Sequence, residues 1–183
     1  ISRLAREAAE SSPELILAVG SGTISDVGKM VSLELDVPNW CVATAPSVDA
    51  YSSGTSAIKL EHGHKTEPAR PTELIFNDLS VLEKAPEMLF LSGVGDLLAK
   101  YLSYLDWKIS AWVNGEYICE QTARLCLDSA RQALSAVSKL SADKTAAVRS
   151  LTDAILVSGL AMQALVNSRP ASSAEHTVAH SWE

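Results

Sequence analysis

The strongest constraint on the fold is a short apolar run met at once by glycines: LILAVG at 15–20, then SGTISDVGKMVSLEL. Six residues without polar alternation suit a strand covered on both faces, as in a parallel sheet. Gly20 and Gly22 break the run, and TISDVGKMVSLEL has helical spacing. A second run, NWCVATAP, reads as the next strand and stops at Pro46. Strand, glycine turn, helix and strand make a βαβ unit, which implies a parallel sheet with a right-handed crossover. LIFND (74–78) is a third candidate buried strand, and SAIKLEHGHKTE alternates around Gly63 as a hairpin does. ISRLAREAAESS, ahead of the first strand, reads as the end of an amphipathic helix.

The character changes near Asn77. From Ser80 onward no strand-like alternation occurs, and proline stands only at 86 and 170. Residues 117–139 and 145–167 carry apolar side chains at helical intervals, with Leu151, Ile155, Gly159 and Met162 along one stripe. The expected architecture is α/β over residues 1–79 and all-α, as a helical bundle, over residues 80–183. A cleft between two such parts favours ligand binding.

Composition narrows the function. The 183 residues are 47% hydrophobic and 20% charged, as in ordinary globular proteins. A net charge of −7 argues against nucleic acid, whose phosphates need clustered Lys and Arg. The longest apolar runs are too short to span a bilayer, and no signal peptide is visible. Cys41, Cys119 and Cys126 form no CxxC pair and sit among apolar neighbours, which reads as buried reduced thiols in a cytoplasmic protein. The chain begins at Ile1 without Met, as a processed protein or a piece of a longer one would.

Four stretches carry chemistry. In GSGTISDVGK (20–29), glycines and a helix start offer free N–H groups to a phosphate, although Ser25 stands where GxGxxG has its third glycine. Asp26 also reads as a first-turn carboxylate complementing the helix dipole, and Lys29 as a phosphate contact or a solvated cation. TAPSVDAYSS (44–53) follows a strand end, where open α/β sheets bind ligands, and offers Thr44, Ser47, Ser52, Ser53 and Asp49. A polar turn is the plainer reading. In GVGDLLAKYLSYLDW (93–107), Asp96 follows Gly95 at the apparent start of an apolar helix. It reads as an N-cap, as an ion pair with Lys100, or as a carboxylate whose burial a metal would repay. Last, SRPASSAEHTVAHSWE sets His176 and His180 four residues apart beside Glu175, on one helical face, as metal ligation would require, although a lone HxxxH is more often structural. His62 and His64 at the hairpin turn read as solvated. No GxSxG elbow supports hydrolase chemistry.

Taken together and in this order, these four stretches resemble the glycerol-1-phosphate dehydrogenases. That group is related to glycerol dehydrogenase, iron-containing alcohol dehydrogenases and 3-dehydroquinate synthase. SRPASxAEH is the stretch most specific to the glycerol-phosphate branch. The resemblance implies a partial Rossmann-like domain followed by a helical metal- and substrate-binding domain, as in dehydroquinate synthase. By analogy Gly22, Thr23, Ile24, Ser25 and Asp26 hold the dinucleotide pyrophosphate, and Thr44, Ala45, Pro46, Ser47 and Ser53 contact the cofactor further along. Asp49 meets the substrate, Asp96 and His176 bind the metal, and His180 stands near the substrate hydroxyl. Lys29 has a counterpart in the group, and the resemblance assigns it no particular role. Its members are longer at both ends, so the resemblance makes this chain an internal piece, with a second metal histidine beyond Glu183.

The implied reaction interconverts dihydroxyacetone phosphate and sn-glycerol 1-phosphate with NAD or NADP and one divalent metal, zinc before nickel. It belongs to the metabolism of polar glycerophospholipids, with His180 as a possible proton relay. The partner is a small phosphorylated triose or glycerol, with no membrane insertion and an assembly of identical subunits at full length. Three rivals stand beside it: a glycerol dehydrogenase, a 3-dehydroquinate synthase-like lyase, and a piece without activity. The lyase branch carries a glutamate where this chain has Asp96.

Overall fold

The computed structural model describes residues 1–60 and 63–181, without the side chains of residues 59, 60, 63, 64, 177, 180 and 181. Helix α1 (Ser2–Ala9) leads to strand β1 (Ile16–Gly20), helix α2 (Gly22–Leu35) and strand β2 (Asn39–Ala43). A 3-10 turn (Asp49–Ser52) follows, then hairpin strands β3 (Thr55–Leu60) and β4 (Gly63–Pro68) and strand β5 (Leu74–Phe76). Helices α3 (Leu79–Leu82), α4 (Glu87–Leu98), α5 (Lys100–Asn114), α6 (Glu120–Lys139), α7 (Lys144–Leu165) and α8 (Ala174–Ser181) complete the described chain.

Strands β1, β2 and β5 form a parallel sheet in that order, with Ala18 opposite Cys41 and Cys41 opposite Ile75. The βαβ unit therefore forms as its sequence dictates. One face of the sheet is covered: Ala18, Cys41 and Ala43 are buried, and α2 lies close enough that a Cβ on Gly28 would stand 2.7 Å from that of Ala18. The other face presents Leu17, Val19, Leu74 and Phe76 largely to solvent, with Trp40 and Val42 between them. The separate antiparallel hairpin pairs Leu60 with Gly63. Its connecting residues, His62 included, and the His64 side chain lie outside the described residues.

One apolar cluster joins the two parts of the chain: Ala18, Cys41, Ala43 and Tyr51 pack with Leu82, Leu97, Leu151 and Ile155. Two helix glycines make this contact possible. A Cβ on Gly93 would stand 2.1 Å from the Pro46 carbonyl oxygen, and one on Gly159 2.2 Å from Ser52 Oγ. Helices α4 and α7 thus press backbone against the 44–53 segment. Helix α7 has the length and apolarity of a membrane span, yet Leu151, Ala154, Ile155 and Ala161 on it are fully buried in this core.

Two expectations change. Asp96 does not begin a helix: α4 starts at Glu87, after Pro86, and runs through both glycines, leaving Asp96 in its last turn. The GVG triplet looked like a turn, but Gly93 serves the close approach to Pro46. Of the three thiols, Cys41 and Cys126 are buried, whereas Cys119 is partly exposed because it sits at the N-cap of α6.

The same helix provides its own control. Gly93→Ala is expected to cost about 2–3 kcal/mol through overpacking. Gly95→Ala, whose Cβ would meet nothing within 4 Å, is expected to stabilise by about 0.5–1 kcal/mol. Urea-unfolding midpoints of the two variants measure both; equal effects would remove the role given to Gly93.

Candidate active site at the end of the sheet

The carboxyl ends of β1 and β2 lie side by side, and Thr44 N–H donates to the Gly20 carbonyl at 3.1 Å. Helix α2 begins here with Ser21 at its N-cap and no side chain bonded to its first turn. The first intrahelical donor is Ser25 N–H, which reaches Ser21 O at 3.0 Å, so the earlier amides face outward for an anion. Among the residues assigned to the pyrophosphate, Gly22, Thr23 and Ile24 line this opening, Thr23 and Ile24 being exposed. Ser25 and Asp26 turn inward and are buried.

Asp26 lies beyond the first turn of α2, so it does not serve the helix dipole. Its carboxylate pairs with Lys29 at 2.8 Å and accepts the Ala57 N–H at 3.0 Å. Lys29 has no exposed side-chain surface and is neither solvated nor turned to a phosphate. It donates to the Ala50 carbonyl at 2.8 Å, to Ser53 Oγ at 3.1 Å and to the Thr55 carbonyl. Burial raises the Asp26 pKa and lowers that of Lys29, and each opposes the other's shift by attraction. The pair ties α2 to the turn and to β3.

The 44–53 segment is no solvated turn. Ala45, Pro46, Ser47, Asp49, Tyr51, Ser52 and Ser53 are buried. Tyr51 Oη donates to the Ala45 carbonyl at 2.7 Å, and burial pushes its pKa up to about 12. Ser52 Oγ donates to the Leu156 carbonyl at 2.8 Å. Ser53, assigned to the cofactor, has its hydroxyl engaged by Lys29 and the Thr55 carbonyl. Thr44 keeps the most exposure of the group.

Five residues past Thr44, Asp49 enters a second charge cluster. Lys100 Nζ, with no exposed surface, stands 2.9 Å from Asp49 Oδ2 and 3.1 Å from Asp96 Oδ1. Asp49 N–H donates to Asp96 Oδ2 at 2.9 Å, and Ser158 Oγ on α7 donates to Asp49 Oδ2 at 2.7 Å. His176 on α8 completes it, its Nε2 3.6 Å from Asp96 Oδ1. Burial works against ionisation of Asp96, but Lys100 and His176 outweigh it and hold its pKa down to about 2. Asp49 goes the other way: burial and the charge of Asp96 raise its pKa more than Lys100 and Ser158 lower it. Lys100 is buried too, yet two carboxylates raise its pKa and keep it charged. The nearby Asp96 carboxylate is the main influence raising that of His176.

The turn leading to α8 is clamped separately. Arg169 Nε lies 2.9 Å from Glu116 Oε1, and its Nη1 3.3 Å from Asp106 Oδ2, so the SRPAS stretch is held against the end of α5. The His180 side chain, assigned near the substrate hydroxyl, lies outside the described residues. Among the described residues, no three His, Cys, Asp or Glu side chains gather as a complete metal cage.

Asp49, Asp96 and His176 are therefore brought together, as the sequence suggests. Reasoning from sequence missed Ser158, the partnership of Lys100 with Asp49, and the role of Lys29. Each lysine follows an aspartate by three or four residues and is flanked by apolar neighbours, and that isolation was the available signal.

Comparison with known proteins follows the same lines. Residues 1–86 match the family described as iron-containing alcohol dehydrogenase. The structure also resembles a probable glycerol dehydrogenase from Sinorhizobium meliloti, with a TM-score of 0.74 at 23% identity over 96% of this chain and 51% of that one. The chain thus shares the fold of that dehydrogenase and, over residues 1–86, is similar to the iron-containing alcohol dehydrogenases. More narrowly, it is 36% identical over 180 residues to the glycerol-1-phosphate dehydrogenase (NAD(P)+) of Metallosphaera sedula, covering 98% of this chain and 51% of that protein. It is 38% identical over 168 residues to the enzyme of that name from Sulfolobus acidocaldarius, covering 92% and 48%. The chain spans about half the length of these relatives.

The Asp26–Lys29 pair gives a direct test. Lys29→Met leaves Asp26 buried without its partner and is expected to cost about 3–5 kcal/mol. Adding Asp26→Asn should recover part of that loss. A double-mutant cycle from urea unfolding would show strong coupling; additive effects would mean the pair does not hold the turn.

Proposed function

We propose that these residues serve an NAD(P)- and metal-dependent dehydrogenase that interconverts dihydroxyacetone phosphate and sn-glycerol 1-phosphate. The observation that carries this is the convergence of Asp49, Asp96, Lys100 and His176 from well-separated segments, beside the carboxyl end of a parallel sheet. Names of the curated relatives narrow the substrate to the glycerol phosphate class. The reading extends to polar glycerophospholipid synthesis in the cytoplasm by an assembly of identical subunits.

The outward amides of Gly22, Thr23 and Ile24, with Thr44 beside them, would hold the dinucleotide phosphates. Asp96 and His176 would hold the metal. Ligand arms of about 2.0–2.2 Å meeting near the tetrahedral angle leave about 3.4 Å between donor atoms. Asp96 Oδ1 and His176 Nε2 stand 3.6 Å apart, which suits them. Charge also suits a divalent cation, since Asp49 and Asp96 share the single ammonium of Lys100. Zinc is the first choice and nickel the second. When bound, such a metal polarises the substrate carbonyl, and NAD(P)H supplies the hydride.

The protein's own groups do the rest. Asp49, fixed by Ser158 and Lys100, presents a held acceptor to substrate hydroxyl groups. Lys100 stays protonated, so it acts as a standing positive charge and not as a base. Buried beneath both carboxylates, it fixes their spacing before any ligand arrives.

Oxidation of NADH and NADPH with dihydroxyacetone phosphate, set against glycerol oxidation, tests the reading. Asp96→Asn is expected to lower kcat/KM by about 100-fold or more, or about 2.7 kcal/mol at 1.36 kcal/mol per decade. Preference for glycerol over glycerol 1-phosphate, or an undiminished Asp96→Asn variant, would sink it.

A further inference from the structure

Glu175 is unused by the reaction as described, yet its carboxylate is held by several hydrogen bonds. Its Oε1 accepts from Ser103 Oγ at 3.0 Å and from the Ser173 N–H at 3.2 Å, and its Oε2 meets the Ser173 hydroxyl. Ser103 lies on α5, one turn beyond Lys100, so the carboxylate is moored from two sides. The same Oε1 also meets the neighbouring imidazole: His176 Nδ1 stands 2.7 Å from it. The other nitrogen, Nε2, points to Asp96.

We propose that Glu175 is a positioning residue that fixes the tautomer and orientation of His176, so that Nδ1 carries the proton and Nε2 offers its lone pair beside Asp96. An ionised carboxylate only accepts hydrogen bonds, so at 2.7 Å the neutral ring must donate from Nδ1. The same contact makes the ring a stronger donor through Nε2, as carboxylates behind ligating histidines do. Ser103 and Ser173 matter because they stop Glu175 from swinging onto Asp96 or Lys100. The inference rests on the metal-site reading for its purpose, but the tautomer itself does not.

The test uses the full 183-residue chain, nitrogen NMR of the His176 ring on the alkaline side of its titration without metal, and zinc calorimetry. Glu175→Gln is the variant of choice, because its amide can keep the bonds to Ser103 and Ser173 and so preserve α8. Wild type is expected to show the Nδ1–H form. Glu175→Gln, whose neutral amide oxygen is a weaker acceptor for the Nδ1 proton than a carboxylate, should show a mixture and bind zinc about 10–100-fold more weakly. An Nε2–H ring in wild type overturns the proposal, as does an unchanged tautomer in Glu175→Gln. So does unchanged zinc affinity in that variant when His176→Ala weakens binding. If His176→Ala binds zinc as tightly as wild type, the metal-site reading fails, and the tautomer alone decides the role of Glu175.

Discussion

An ammonium group with no access to water cannot be left alone, and Lys100 is the constraint around which the rest of the site is arranged. Removing a charge from water costs several kcal/mol, returned only when partners lie close and well aligned. Lys100 has two, Asp49 at 2.9 Å and Asp96 at 3.1 Å. Each carboxylate then needs its own donors: Ser158 serves Asp49 and the Asp49 backbone amide serves Asp96, with the His176 ring 3.6 Å away. Loop, α4, α5, α7 and α8 are thereby tied to one buried point. Lys29 repeats the device at the other end of the same loop, against Asp26 and three acceptors of the turn.

The path between these two lysines explains how one short segment serves two ligands. Thr44 stands at the sheet edge, bonded to the carbonyl of Gly20, and Asp49 stands in the charge cluster five residues later. Between them Ala45, Pro46 and Ser47 are buried. Such a buried segment moves little, so the distance from the outward amides of α2 to Asp96 and His176 is set by the fold. The hydride transfer proposed above would need that distance fixed, since misplacement of reacting groups by an ångström is costly.

Much of the fold was legible because its signals were local. A non-alternating apolar run, glycines and a helical period determine β1, α2 and β2, and parallel pairing follows from the crossover. Asp96 shows where locality fails. Two glycines before an acid resemble a helix start, but the second contact of Gly93, with the Pro46 carbonyl, lies 47 residues back in the sequence. Cys119 failed for a related reason: its neighbours are apolar, yet the position caps α6 and stays partly open. For the charges, an aspartate and lysine spaced for one helical turn suggest a surface ion pair. Only the apolar residues flanking Lys29 and Lys100 hint that both face inward, and nothing local identifies Ser158 as the donor to Asp49, 109 residues away.

That distance in sequence has a consequence for how substitutions act. The site has no single scaffold element, because its groups arrive on a loop and four helices whose mutual approach depends on Gly93 and Gly159. A methyl group at either glycine would push a helix off the 44–53 segment and widen the Asp49–Asp96 and Asp49–Ser158 contacts. Hydrogen bonds of 2.7–2.9 Å do not survive shifts of an ångström. The freed carboxylates would then bear the full cost of burial. Packing and the charge cluster are therefore not separable here: a change at a distant glycine reaches the Asp96 carboxylate through the spacing of backbones.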